Sequence, residues 1–125
     1  MASRPWRYLT GNVVVCATLW RRATGLMFRW PGADFAYIFP FSRDRRISVT
    51  MLFVFYPIDI LFLDDDGVVI ETKPGLKPFS HYVAKRKARS FIELPAGSIV
   101  KFGLSRGVKL RWTSGSLRFR SPNHP

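Results

Sequence analysis

At 125 residues, 47% of them hydrophobic and 15% aromatic, the chain has the length of one domain and enough apolar surface for one core. Lys plus Arg outnumber Asp plus Glu by 20 to 8, a formal charge of +12, so nucleic acid or another polyanion such as anionic lipid competes with plain solubility as the reason for the surplus. The lone Cys16 excludes an intramolecular disulfide, and its apolar setting in VVVCAT predicts a buried thiol in a reducing, cytoplasmic compartment.

Taken from the N-terminus, residues near 1–10 and 121–125 read as loosely held ends of a single domain spanning 1–125, because Pro and polar residues dominate them. Asn12 to Ala17 reads as a first strand. Thr18 then caps a short amphipathic helix running to Arg29, with Leu19, Ala23, Leu26 and Met27 at helical spacing. The apolar run Asn12 to Trp20 is short and leads directly into Arg21 and Arg22 without a small-residue cleavage site, so it is not read as a signal peptide. Pro31 and Gly32 make a turn before a strand from Asp34 to Phe41, and Ser42 to Arg46 reads as a basic connection.

The run from Ile47 to Leu63 approaches membrane-spanning length. It contains Pro57 and Asp59 and is rich in β-branched and aromatic residues, so two strands, or one bent strand, are expected there and no membrane span. The acidic turn Asp64 to Gly67 makes Ile58 to Glu71 a β-hairpin. Thr72 to Ser90 reads as a polar connection, Phe91 to Leu94 as a strand, and Ser98 to Phe102 as one turn of helix stopped by Gly103. Val108 to Trp112 and Ser116 to Arg120 form a closing hairpin. The predicted class is mainly β (α+β), a small mixed β-barrel or rolled sheet with two short helices.

Three stretches carry a family resemblance: RRATGLMFR at Arg21 to Arg29, TMLFVFYPIDILFLDDDG at Thr50 to Gly67, and FIELPAGSIVKFGLSRGVKL at Phe91 to Leu110. Their order and spacing resemble the small bacterial and archaeal family known as domain of unknown function number one-nine-two. The family has no established activity to carry over, so the resemblance implies a fold rather than a function. Two departures stand out. The family's Trp-Met-Lys-Asn stretch is replaced by Thr50, Met51, Leu52 and Phe53, and its acid-terminated turn by Arg106, Gly107 and Val108. A ligand site using that Lys-Asn pair in relatives would be altered or absent here. Two Asn and no Gln in the chain suit a thermophile.

Asp59 is the residue with most to explain, because the strand around it is apolar on both faces. It either opens into a pocket or anchors a loop, and anchoring is preferred: a buried, ionised carboxylate held by Arg22, with Arg29 in reserve, or by backbone N–H groups. Glu93 alternates with Ile92 and Leu94, which predicts that it faces solvent or a barrel mouth. Asp59, Glu93 and Arg22 are therefore the ligand-pocket candidates, and an acid–base pair of Asp59 and Glu93 needs their strands to be neighbours. Asp64, Asp65 and Asp66 read as a turn rather than a cation site, since they lack the alternation and distal Glu of a calcium loop. No catalytic residue, metal site or cofactor is predicted.

The basic clusters supply the competing reading. Arg43, Arg45 and Arg46, and Lys85, Arg86, Lys87 and Arg89, are the nucleic-acid candidates, with Phe79 and Tyr82 beside the second group for base stacking. Arg21, Arg22 and Arg29, and Arg118 with Arg120, are further clusters. The fourteen Arg against six Lys favour planar recognition of phosphate. A binding module of this kind requires the clusters to share a face.

Overall fold

The computed structural model describes residues 4–16 and 32–122. Their strands are β1 (Arg7–Thr10), β2 (Val13–Val15), β3 (Ala36–Thr50), β4 (Ile58–Leu63), β5 (Val69–Leu76), β6 (His81–Pro95), β7 (Lys109–Thr113) and β8 (Ser116–Arg120), with one short helix, α1 (Ser98–Phe102), before β7. A five-stranded sheet runs in the order β2-β3-β6-β4-β5 and a three-stranded sheet in the order β1-β8-β7. All pairings are antiparallel except β2 with β3.

The pattern of side chains explains why the larger sheet sits in the middle. All six residues of β4 are buried, so both of its faces need cover. One face carries Ile58, Ile60 and Phe62 into a core with Phe39, Val49, Met51 and Phe91. The other carries Leu61 and Leu63 into a core with Ile38, Ile92, Leu110, Leu117 and Phe119, the last three from the smaller sheet. The two sheets meet at the acidic hairpin, where Gly67 accepts from Leu110 N at 2.8 Å and Val69 N donates to Val108 O at 2.8 Å. Gly67 has φ +80, and a Cβ there would lie 2.6 Å from the Leu110 carbonyl oxygen, so only glycine permits this junction.

The hairpin from Ile58 to Glu71, the helix at Ser98–Phe102 with Gly103 closing it, and the C-terminal hairpin are all as the sequence predicts. Four expectations are corrected. The sheets stay open, joined by one isolated bridge between Val68 and Lys109, so the fold is a pair of packed sheets and not a closed barrel. Arg7–Thr10, expected to be loose, pairs with β8 and buries Leu9 and Thr10. Ser42 to Arg46 is not a connection but the middle of the 15-residue β3. Thr72 to Ser90 likewise belongs largely to β5 and β6. The cause is common to the last two: β3 and the first half of β6 pair as a ribbon whose exposed positions carry charge, which hides the alternation that marks a half-buried strand. The helix expected from Thr18 to Arg29 lies outside the described residues.

Candidate functional site

Asp59 lies on β4, 1% exposed, opposite a bulge in β5. Ile60 pairs with Lys73 and Ile58 with Leu76, so Pro74 and Gly75 together face the single residue Asp59. Gly75, in the left-handed region at φ +59, turns its N–H inward and donates to Asp59 Oδ1 at 2.9 Å. Ile99 N, in the first turn of α1, donates to Asp59 Oδ2 at 2.9 Å. Both carboxylate oxygens are thus occupied by main-chain donors, which is the anchoring role. Asp59 thereby ties the YPID stretch to the β5 bulge and to the first turn of α1, just after ELPAGS. The alternative partners Arg22 and Arg29 lie outside the described residues.

Glu93 does not face solvent. It is 7% exposed, directly opposite Tyr37 on one side and Ile60 on the other. Burial raises its pKa from 4.5 to about 8 and, with burial of the phenol itself as the larger cause, its proximity pushes Tyr56 up as well. Asp59 pairs with Leu94, whereas Glu93 pairs with Ile60, so the two acids project from opposite faces of the same sheet. Adjacent strands therefore do not make them an acid–base pair.

Nothing in the sequence singles out Glu71. Its position in VIETK matches an ordinary exposed alternation, and nothing nearby signals its partners. In the structure it is buried, accepts from the Tyr82 hydroxyl, and accepts from the backbone of Lys85 at 2.9 Å and Arg86 at 3.1 Å. This carboxylate draws the basic half of β6 over the edge strand β5. The hydrogen bond to Glu71 raises the Tyr82 pKa to about 12. Tyr82 is therefore engaged and is not an open stacking surface. Asp64 is also structural: its Oδ1 accepts from Asp66 N and Val68 N, both at 2.9 Å, closing the turn.

The basic candidates fall on one two-stranded ribbon. Arg46 stands opposite Lys87 on one face, while Arg45, opposite the buried Ala88, projects from the other, so the register brings the two clusters onto one ribbon but not all onto one face. All but Arg89 are exposed, and Arg89 is half-buried. Like charges directly across a strand pair are unfavourable in isolation. The one acid within these two segments, Asp44, pairs with Arg89 at 3.0 Å on the surface, a contact worth little by itself. Arg46 Nε donates to Ala84 O at 3.1 Å, and the Arg45 guanidinium lies 5.0 Å from the Phe41 ring centroid. At the end of the ribbon Phe55 and Phe79 are 60% and 56% exposed and meet edge to face at 5.2 Å. Leu52 and Phe53, in place of the polar pair that the resemblance implies, are also exposed there.

Cys16 is buried, as expected from its apolar setting. Among the described residues, no helix is long and apolar enough to cross a membrane.

The chain is 32% identical over 116 residues to a UPF0127 protein of Thermococcus sibiricus, covering 91% of this chain and 74% of that protein. It is also 32% identical over 102 residues to a UPF0127 protein of Pyrococcus horikoshii, covering 82% and 88%. These relatives come from thermophilic archaea. Among solved structures, a Sinorhizobium meliloti protein described as a candidate transcription regulator superposes with a TM-score of 0.76 at 24% identity, covering 89% of this chain and 96% of that one. A Novosphingobium aromaticivorans protein of unknown function superposes with a TM-score of 0.73, also at 24% identity, covering 80% and 74%. At that identity the two structures show a common fold. The model of the family described as "Uncharacterized ACR" matches residues 5–112, and the chain belongs to that family, DUF192.

Proposed function

We propose that this protein is a binding module whose β3–β6 ribbon contacts single-stranded nucleic acid, mainly through phosphates. The observation that carries the reading is the strand register, which places two basic clusters distant in sequence side by side. An extended cationic strip tracks a phosphate backbone, and releasing its counterions drives association. Phe55 and Phe79 at the ribbon end offer exposed rings on which bases stack without regard to sequence. The repulsion between paired cations also falls when phosphates bind. An acid-centred pocket has less support, because Asp59 is enclosed with both oxygens engaged and Glu93 lies on the other face.

The test compares the wild-type chain with Arg46→Ala/Lys87→Ala and with Phe55→Ala/Phe79→Ala, using fluorescence anisotropy of a labelled single-stranded RNA at low salt. The charge variant loses roughly tenfold or more in affinity, from two phosphate contacts. The aromatic variant loses affinity with less change in salt dependence. Equal binding by all three proteins contradicts the reading.

A further inference from the structure

The three-stranded sheet carries a second cationic surface built from other residues. Alternation along β7 and β8 sends Lys109, Arg111, Arg118 and Arg120 to one side, while Leu110, Leu117 and Phe119 enter the core. The register sets Lys109 opposite Arg120 and Arg111 opposite Arg118, so like charges face each other twice on one sheet face. Trp6, just before β1, lies beneath two of them. The Arg111 and Arg120 guanidiniums are 4.1 Å and 4.5 Å from its ring centroid. Arg118 lies 5.7 Å from the ring of Tyr8, which is 55% exposed. Beside Trp6 is an open groove of about 450 Å³, lined by Trp6, Gly67, Lys109, Arg111, Trp112 and Arg120, with Asp66 as the acid on its wall.

Contact with the Trp6 ring holds both guanidiniums at the groove, where their N–H groups are the donors a phosphate would use. Held in that way, the side chains have little rotamer freedom left to lose when they take a phosphate between them. Trp6 supplies ring surface on the groove wall, and the volume suits a small ligand. We infer that this groove binds a phosphate ester carrying an aromatic base, the chemistry shared by a free mononucleotide and by one nucleotide of a chain. The site uses none of the ribbon residues and stands whether or not the ribbon binds nucleic acid.

Isothermal titration calorimetry of the full chain at low salt tests this with AMP, adenosine, inorganic phosphate and a tetranucleotide. AMP binds at least tenfold more tightly than adenosine, and inorganic phosphate competes with it. Arg111→Ala and Arg120→Ala each weaken AMP by about tenfold. Arg111→Lys also weakens it, because an ammonium keeps the charge but lacks the planar fork. Thermal melts by circular dichroism establish that each variant is folded, and Arg111→Lys gives the reading should an alanine variant unfold. Arg46→Ala/Lys87→Ala leaves AMP affinity unchanged, which separates this site from the ribbon. Displacement of AMP by the tetranucleotide identifies a chain as the source, and AMP binding without displacement identifies a free mononucleotide. Absence of AMP binding at millimolar concentration, equal affinity for adenosine, or affinity untouched by both arginine substitutions overturns the inference.

Discussion

Replacing Asp59 with Asn removes the charge while keeping the shape, and the structure sets the size of the effect. The buried carboxylate serves two main-chain N–H groups, from Gly75 and Ile99, each at 2.9 Å. An Asn oxygen keeps one of them and turns its NH₂ toward the other, so one main-chain donor at 2.9 Å meets another donor. Losing one charge-assisted hydrogen bond and leaving a part-buried N–H without its acceptor costs about 1.5–3 kcal/mol. For a domain of this size that corresponds to a fall in Tm of roughly 10 °C. Urea unfolding followed by circular dichroism measures the free energy, and amide exchange at Gly75 and Ile99 shows whether the loss is local. Below its melting range, the variant binds RNA as the wild-type chain does, since Asp59 touches nothing at the surface. A stability change within about 0.5 kcal/mol, the range of an ordinary surface substitution, refutes the anchoring account.

Glu93 predicts a pH-dependent stability. Its pKa is about 8 in the folded chain against 4.5 as its ordinary value. The folded state therefore holds the proton more tightly, and stability is fully present below about pH 4.5, declines as pH rises toward 8, and levels off above it. Urea titrations of Glu93→Gln remove that decline, so the gap in favour of the variant opens across the same window to a few kcal/mol, with about 5 kcal/mol as the ceiling for the full shift. Parallel curves for the two proteins contradict it. Glu71→Ala frees the backbone of Lys85 and Arg86, and hydrogen exchange at those two amides speeds up by about tenfold or more while the β4–β6 amides near Ile92 stay protected. Unchanged exchange at Lys85 and Arg86 shows that Glu71 does not hold the ribbon.

Local turn chemistry was legible in the sequence. The Asp-Gly hairpin and the Gly103 stop depend on neighbouring residues, and Asp59 stood out because a carboxylate in an apolar strand demands partners. What the sequence did not disclose is nonlocal. Ser42 to Arg46 reads as a loop, since five polar residues in a row show no alternation, and only pairing with β6 makes it a strand. The opposite facing of Asp59 and Glu93 depends on the β4–β6 register, which places Leu94, not Glu93, beside Asp59. The donors to Asp59, from Gly75 and Ile99, are main-chain groups, 16 and 40 residues away. The partners of Glu71 are equally remote from its place in VIETK. The basic clusters were visible as composition, and their union on one ribbon was not.

The salt dependence of RNA binding tests that union most directly. Six cations of the ribbon remain once Arg89 is paired with Asp44. Three or four phosphate contacts from one face of the ribbon give log K against log salt a slope of about −2 to −3, near −0.7 per contact. Arg46→Ala/Lys87→Ala should flatten that slope by about 1.4. A slope near zero for the wild-type chain, or the same slope in both proteins, contradicts the assignment of the β3–β6 ribbon as the phosphate-binding surface.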